Sequence, residues 1–238
     1  METIVRDSGF AGWLRDFEQE AEGRDAMGDP DWERGARLEP PVIRSLQRFQ
    51  VGEDGDGAFL AGKAGRAGDP EYAAAVRLFI AEEQNHARML GLLLKAAGAP
   101  TIEGHWSDAI FVRARRLMGL QLELMVLMIA EVIAIAYYRT LHEGTADPLT
   151  AEVAGRLLAD EHRHVPFHCR RIGDGLAALP RPLRAAAIRL WRAAVAAGAV
   201  VIITDHGRAL RRLGKTRIRF VRDVLAEAAT AAARIRER

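Results

Sequence analysis

From Pro40 to the C-terminus, apolar side chains recur at intervals of three and four residues rather than two, the spacing of helices that bury one face. The first stripe carries Ile43, Leu46, Gln50, Glu53, Gly57 and Leu60, and predicts one helix from Pro40-Pro41 to the glycine-rich stretch at 62–68. Asp69-Pro70-Glu71 is a helix start, with a capping Asp, a proline at the first helical position and an acid near the positive end of the dipole. The second helix presents Tyr72, Val76, Phe79, Glu83, His86, Leu90 and Leu93 on one face and stops at Gly98-Ala99-Pro100. A third is expected from near Ser107 to about Gly144, with Leu120, Leu124, Leu127, Glu131, Ala134 or Ile135, and Tyr138 inward. The fourth opens at Asp147-Pro148, aligns Ala154, Leu157, Glu161, His164 and His168, and should bend near Pro166. A fifth lies between Leu179-Pro180-Arg181-Pro182 and Asp205, and a sixth runs from about Lys215 to the end.

This pattern predicts an all-α protein: a polar N-terminal arm or short helices over 1–36, a helical core over 37–178, and C-terminal helices over 179–238 packed on it. A chain of 238 residues, 49% hydrophobic and poor in aromatics, can bury a sizeable helical core. The single cysteine, Cys169, excludes an internal disulfide framework and any iron or zinc site built from paired thiolates; it reads as a small core residue of a protein in a reducing compartment. No apolar leader is visible at the N-terminus, so the cytoplasm is the expected location. The apolar run Leu117 to Tyr138 has the length of a membrane span, but Glu123 and Glu131 interrupt it. A carboxylate at mid-bilayer costs about 2.5–3.5 kcal/mol. The run therefore reads as a helix buried inside the protein, and no membrane span is expected. The net charge of +2 and pI near 9.0 owe much to arginines such as those of RALRRLGKTRIRFVR at 208–222. That segment reads as a solvated helix face, with contact to RNA or another anionic surface as the sharper alternative.

Charged residues on the inward stripes change the picture. Glu83-x-x-His86 and Glu161-x-x-His164 each place a carboxylate and an imidazole on one helix face, about 5–6 Å apart at Cβ. A lone glutamate precedes each motif by thirty residues, Glu53 before Glu83 and Glu131 before Glu161. Thirty residues is two helix halves and a turn, which brings each lone glutamate back to the level of its motif. One Glu from each of two helices with Glu-x-x-His from each of two others is the ligand arrangement of dinuclear carboxylate bundles. Four carboxylates neutralise two divalent cations and two imidazoles complete the set, with Glu83 and Glu161 as candidate bridges and Glu53 and Glu131 as terminal ligands. Without a cation, four inward carboxylates would be very costly. Glu82 and Asp160 directly precede the motif glutamates, and in a two-fold arrangement each can accept the second ring N–H of the opposite histidine. The alternative is two solvent-facing acids. His168, one turn beyond His164, reads as an extra ligand, a supporting group or a core histidine. Tyr138 is either redox-active beside the site or core packing. His105, His142, His162 and His206 find no partner in the pattern.

The stretch QVGEDGDG at 50–57 admits three readings: a flexible acidic turn, a damaged calcium loop, or part of a helix that holds something. With Asp54 and Asp56 at calcium-loop positions 3 and 5, positions 1 and 12 become Gly52 and Lys63, where acids are required. It reads instead as part of the first ligand helix, its glycines allowing close packing, a local distortion or substrate access beside Glu53.

These residues resemble the ferritin-like superfamily of dinuclear carboxylate proteins over about residues 40–175. The resemblance rests on Glu53, EEQNH at 82–86, Glu131 and DEHRH at 160–164. The last segment is similar to the Asp-Glu-x-Arg-His pattern of bacterial multicomponent monooxygenases, which implies that Asp160 and Arg163 support the ligands. AEVIAIAYY at 130–138 and the chain length look most like compact aldehyde-deformylating oxygenases. Leu90 stands where the ribonucleotide reductase small subunit has its radical tyrosine, and Leu157 where p-aminobenzoate N-oxygenases have an additional histidine. The resemblance implies an antiparallel four-helix bundle holding two iron ions, or manganese in one or both places. It further implies an oxidoreductase that activates O2 to oxidise a small, apolar substrate with electrons from an external donor. Small residues such as Gly52, Gly57 and Ala134 would shape a channel to it. The rival readings are a ferroxidase or peroxidase, a di-iron tRNA-modifying hydroxylase, and a non-enzymatic helical module with a structural metal. A homodimer is compatible with all of them, and nucleic acid is not the expected partner.

Overall fold

The computed structural model describes residues 9–55, 57–104 and 118–237, and every regular element among them is helical. Helix α1 spans Gly9–Met27 and is followed by a 3-10 turn at Trp32–Arg34. Next come α2 (Pro40–Glu53), α3 (Ala58–Gly65), α4 (Pro70–Ala96) and α5 (Leu120–Gly144). The chain ends with α6 (Pro148–Ala177), α7 (Arg181–Asp205), α8 (Gly207–Arg212) and α9 (Arg217–Arg236). The expected beginning of the third helix near Ser107, and His105, lie outside the described residues.

Local chemistry accounts for the helix starts. Asp69 accepts a hydrogen bond from the Tyr72 N–H at 2.9 Å and Asp147 from the Thr150 N–H at 2.8 Å, each followed by a proline whose missing N–H costs nothing there. The connection at 145–147 is short, so α6 returns along α5, and the two pack over much of their length. Helices α2 and α3 lie on α4, α4 meets α6, and α9 closes the far side against α5, α6 and α7. Pro166 lies inside α6, which runs on to Ala177 without interruption; the expected bend does not divide it.

Three differences from the sequence pattern matter for the site. The N-terminal segment, expected as an arm or short helices, holds a 19-residue helix, and its fully buried Phe17 packs edge-on against Phe167 at 5.2 Å. A short α8 sits between the two expected C-terminal helices, so the basic run at 208–222 is shared between α8 and α9. The first ligand helix is not continuous either. Helical structure stops at Glu53 and resumes at Ala58, with the Asp54 N–H turning back to the Gln50 carbonyl at 3.1 Å. The single stripe Ile43–Leu60 is thus carried by two helices. Glycine and aspartate are poor helix formers, and the described residues at 52–55 and 57 lack the burial that would compensate. Gly57 has φ +62°, and a Cβ placed on it would sit 2.6 Å from Ile80.

The acids in the apolar run of α5 both have local reasons. Glu123 is buried and paired with Lys63 of α3 at 2.6 Å, while Glu131 faces the protein interior. Among the described residues two helices, α5 and α7, are long and apolar enough to cross a membrane; α5 buries most of that stretch within the protein, whereas α7 buries 22% of it. The sequence pattern singled out only the first.

The break at Glu53 yields a direct check. Gly57→Ala should lower the unfolding free energy by about 2 kcal/mol or more, from the left-handed backbone and the collision with Ile80. Gly52→Ala, in α2 with nothing within 4 Å of an added Cβ, should be neutral or stabilising by up to about 1 kcal/mol. Chemical denaturation of the two variants measures both; equal stabilities would contradict the break.

Candidate metal centre

Glu53 is the last residue of α2, Glu83 and His86 lie mid-way along α4, Glu131 on α5, and Glu161 and His164 on α6. The fold brings these six side chains together in two overlapping groups. Glu53, Glu83, His86 and Glu161 form one and Glu83, Glu131, Glu161 and His164 the other, with ligand atoms inside each group within 4.8 Å of one another. Glu83 and Glu161 belong to both. His86 Nδ1 lies 3.4 Å from Glu83 Oε1 and 3.5 Å from Glu161 Oε1. His164 Nδ1 lies 3.2 Å from Glu83 Oε1, 3.5 Å from Glu131 Oε2 and 3.6 Å from Glu161 Oε2.

A second layer of charge surrounds the first. His86 Nε2 lies 3.0 Å from Asp160 Oδ2, and His164 Nε2 lies 2.8 Å from Glu82 Oε2, so each histidine reaches the acid of the opposite motif helix. Arg163 contacts Asp160 Oδ1 at 2.5 Å and Glu82 Oε1 at 3.3 Å, and Arg24 of α1 contacts Glu82 Oε1 at 2.6 Å. Burial alone would raise both acids, but the hydrogen bonds to the histidines and the Arg163 charge outweigh it and hold both below the usual carboxylate range. Ionised acids at these positions accept, so each Nε2 carries the ring proton and donates it. Each Nδ1 then turns a lone pair toward the cluster.

That geometry gives the test of metal fit. His86 Nδ1, His164 Nδ1, Glu83 Oε1, Glu131 Oε2 and Glu161 Oε2 are buried with no hydrogen-bond partner among the described residues. Five orphaned acceptors facing one another are unfavourable unless a cation or protons stand between them. Burial, followed by the charges of Glu83 and Glu131 respectively, pushes Glu53 and Glu161 well above the usual carboxylate range. Burial acts to lower His164, yet the facing carboxylates, Glu131 first, carry it well above the usual imidazole value. Protons are thus drawn to the positions that cations would take. Oxygen and imidazole donors of this kind suit iron, manganese or zinc. Thiolate is absent from the set: Cys169 Sγ faces the Ala231 carbonyl at 3.6 Å, and burial pushes its thiol up to about 12.

The sequence left Tyr138 as either redox-active or core packing, and gave no role to Arg24 or Phe17. Tyr138 is fully buried and its hydroxyl donates to Glu53 Oε1, a contact that bridges the α5 interior and the end of α2. Burial, then the Glu53 charge, raises the phenol well above its usual value, which keeps the donor proton in place. Arg24 and Phe17 come from α1, Phe17 lying face-on to the His164 ring at 6.2 Å and Phe79 edge-on at 4.7 Å. No spacing rule links α1 to α6, so no signal in the chain could have shown these contacts. His168 is buried and stands outside both groups; its ring meets Phe79 edge-on at 4.6 Å and Phe167 at 5.0 Å, within the aromatic packing beside His164. His206 Nδ1 lies 2.7 Å from Ser45 Oγ and His142 Nδ1 2.8 Å from the Ala151 carbonyl, both away from the cluster.

Glu53 and Glu83 keep partial exposure while Glu131, Glu161, His86 and His164 are buried, so the cluster opens on the side of the break after Glu53. Of the small residues expected to shape a channel, Gly52 is exposed with nothing near it, Gly57 is held against Ile80, and Ala134 is buried. A surface cleft of about 550 Å³ between Arg37, Gly144, Asp147 and Arg212 shares no residue with the cluster. Comparison with protein-family models, curated proteins and solved structures finds no match to this chain, so the reading of the site rests on its own geometry.

The raised carboxylates set a pH dependence. A carboxyl whose folded pKa exceeds its unfolded value stabilises fully below the unfolded value, near 4.5, and loses that contribution as pH rises through the folded one. Metal-free protein should therefore lose thermal stability as pH is raised from about 5 to 8. Glu161→Gln should flatten that slope, and a divalent cation should reverse it. Thermal midpoints across the range, with and without cation, measure all three.

Proposed function

We propose that the chain is a non-haem di-iron oxidoreductase of ferritin-like four-helix architecture that uses O2 to oxidise a small, apolar organic substrate. One observation carries the reading. Two four-residue donor groups share Glu83 and Glu161, so these two carboxylates would serve both of two ions, with Glu53 and His86 completing one ligand set and Glu131 and His164 the other. Iron in both places would supply the redox chemistry that activates O2.

The chain's own groups perform the remaining work. Asp160 and Glu82 hold the Nε2 protons and so aim both Nδ1 lone pairs inward. Arg163 and Arg24 balance these two outer charges, leaving the four inner carboxylates to match the charge of two divalent ions. The Tyr138 hydroxyl orients Glu53, the ligand at a helix end and the one with most freedom to shift. Phe17 and Phe79 exclude water from the His164 side, and a substrate without charge suits the apolar core that surrounds the cluster. An external electron donor belongs to the proposal, because placing one oxygen atom of O2 on the substrate and reducing the other to water takes two electrons that the substrate does not supply. Lining by carboxylates and apolar side chains argues against a nucleic-acid substrate at this site, although exposed Arg208, Arg211, Arg217 and Arg219 leave a basic surface elsewhere.

Anaerobic titration with Fe(II) tests the ligand set. The expected stoichiometry is near two per chain, falling for Glu83→Ala, with Asp160→Ala keeping the sites but weakening them about 10–100-fold. Exposure of the loaded protein to O2 should then oxidise the iron rapidly. Absence of stoichiometric binding, or no effect of Glu83→Ala, overturns the metal reading. Fast peroxide turnover, or continued iron uptake beyond two per chain, points instead to the peroxidase or ferroxidase alternative.

A further inference from the structure

Helix α7 has two apolar faces, and the protein covers one of them. Ile188, Trp191, Val195 and Ala199 are buried against the body, with the Trp191 indole N–H donating to the Met125 carbonyl at 2.9 Å. On the opposite side Leu183, Ala186, Leu190, Ala193, Ala197, Val200 and Thr204 are all exposed, Leu183 at 57% and Leu190 at 73%. Their spacing alternates three and four residues without a fault across three heptads. An isolated surface helix turns a polar face to water; a helix with an unbroken a/d seam on its outer side is built to meet another helix.

We infer that this seam is a self-association surface, on which α7 of a second copy of this chain packs antiparallel. Orientation follows from charge. The ionisable residues between Arg181 and Thr204 are Arg181, Arg184, Arg189 and Arg192, and all precede Ala193. A parallel pair would gather two sets of arginines at one end with the helix dipoles aligned. An antiparallel pair sets each basic half beside the arginine-free half of its neighbour, which ends in Asp205 and the helix carbonyls. Register follows from pairing a positions with d positions: Leu183 over Val200, Ala186 over Ala197 and Leu190 over Ala193. Leu190 then packs over Ala193 at the centre, Leu183 over Val200 towards the ends, and the facing Ala186 and Ala197 let the two backbones approach closely. A two-fold contact of this kind is closed, with the same patch used by both copies.

A lipid surface is the other way to cover an apolar helix face, and the seam fits it less well. Interfacial helices carry a broad face of bulky residues, whereas three of these seven positions are alanine. Crossing a bilayer would detach Trp191 and the rest of the buried face from the body. The surface lies on a helix that contributes none of the six clustered residues, so it stands whether or not the site binds iron.

Sedimentation equilibrium of the full chain provides the test. The expected mass is twice the 26.2 kDa of the chain, dropping to one copy in Leu190→Glu and, separately, in Ala193→Arg, with the helical circular dichroism of both variants unchanged. Ala186→Cys/Ala197→Cys should form an intermolecular disulfide on mild oxidation, whereas Leu183→Cys alone should not. A monomeric wild type at 100 μM-scale concentration, or a dimer that survives both seam substitutions, overturns the inference. So does wild type that stays monomeric and co-sediments with phosphatidylcholine–phosphatidylglycerol vesicles, which would assign the seam to lipid. Crosslinking by Leu183→Cys alone overturns the antiparallel arrangement.

Discussion

Mutual repulsion among Glu53, Glu83, Glu131 and Glu161 is the constraint around which the interior is organised. Carboxylates with oxygens within a few ångströms of one another cannot all ionise in a low-dielectric interior without compensating charge. Among the described residues their ion pairs run only to His86 and His164. Arginine, the usual answer to a buried acid, is placed one layer further out, on Glu82 and Asp160. The inner layer is thereby left negative while the outer layer is balanced. Such a division makes physical sense when the missing positive charge is supplied by something bound.

That outer layer also ties the N-terminal helix to the centre of the fold. Arg24 reaches Glu82 from α1, and Arg163 spans both acids, so the N-terminal helix is held to α4 and α6 by the same charges that orient the imidazoles. Phe17 adds an apolar anchor beside His164. Displacement of α1 would therefore expose the histidine side of the cluster to water and release the groups that set the tautomers. Stability and site chemistry are coupled here through shared residues rather than through a separate scaffold.

The opposite side is looser by construction. Glu53 sits at a helix end, followed by a turn that only glycine can complete at Gly57, and its side chain is steadied by the Tyr138 hydroxyl. Partial exposure of Glu53 and Glu83 follows from the interruption. Helices α7 and α9 complete the far flank, where α7 presents its own core face inward and an equally regular apolar seam outward.

Helical class, most element boundaries and the identity of the six clustered side chains were legible in the sequence, because each rests on local geometry. A period of 3.6 residues decides which side chains share a face, Asp-Pro pairs mark helix starts, and a thirty-residue offset is a hairpin measured in helical rise. The tertiary structure alone decided the features that depend on packing between elements distant in the chain. The stripe through Gly52–Gly57 has helical spacing, yet the helix breaks because glycine's backbone freedom and the nearness of Ile80 outweigh it. The exposure of the α7 seam is equally invisible in a pattern that marks residues as apolar but not as covered. The Glu53–Tyr138 contact, the Arg24 pairing and the aromatic setting of His168 join residues 85, 58 and 89 positions apart, the last measured to Phe79. Periodicity ranks neighbours along one helix; which helix lies across from it is settled by the packing of whole faces, and only there do these contacts come into being.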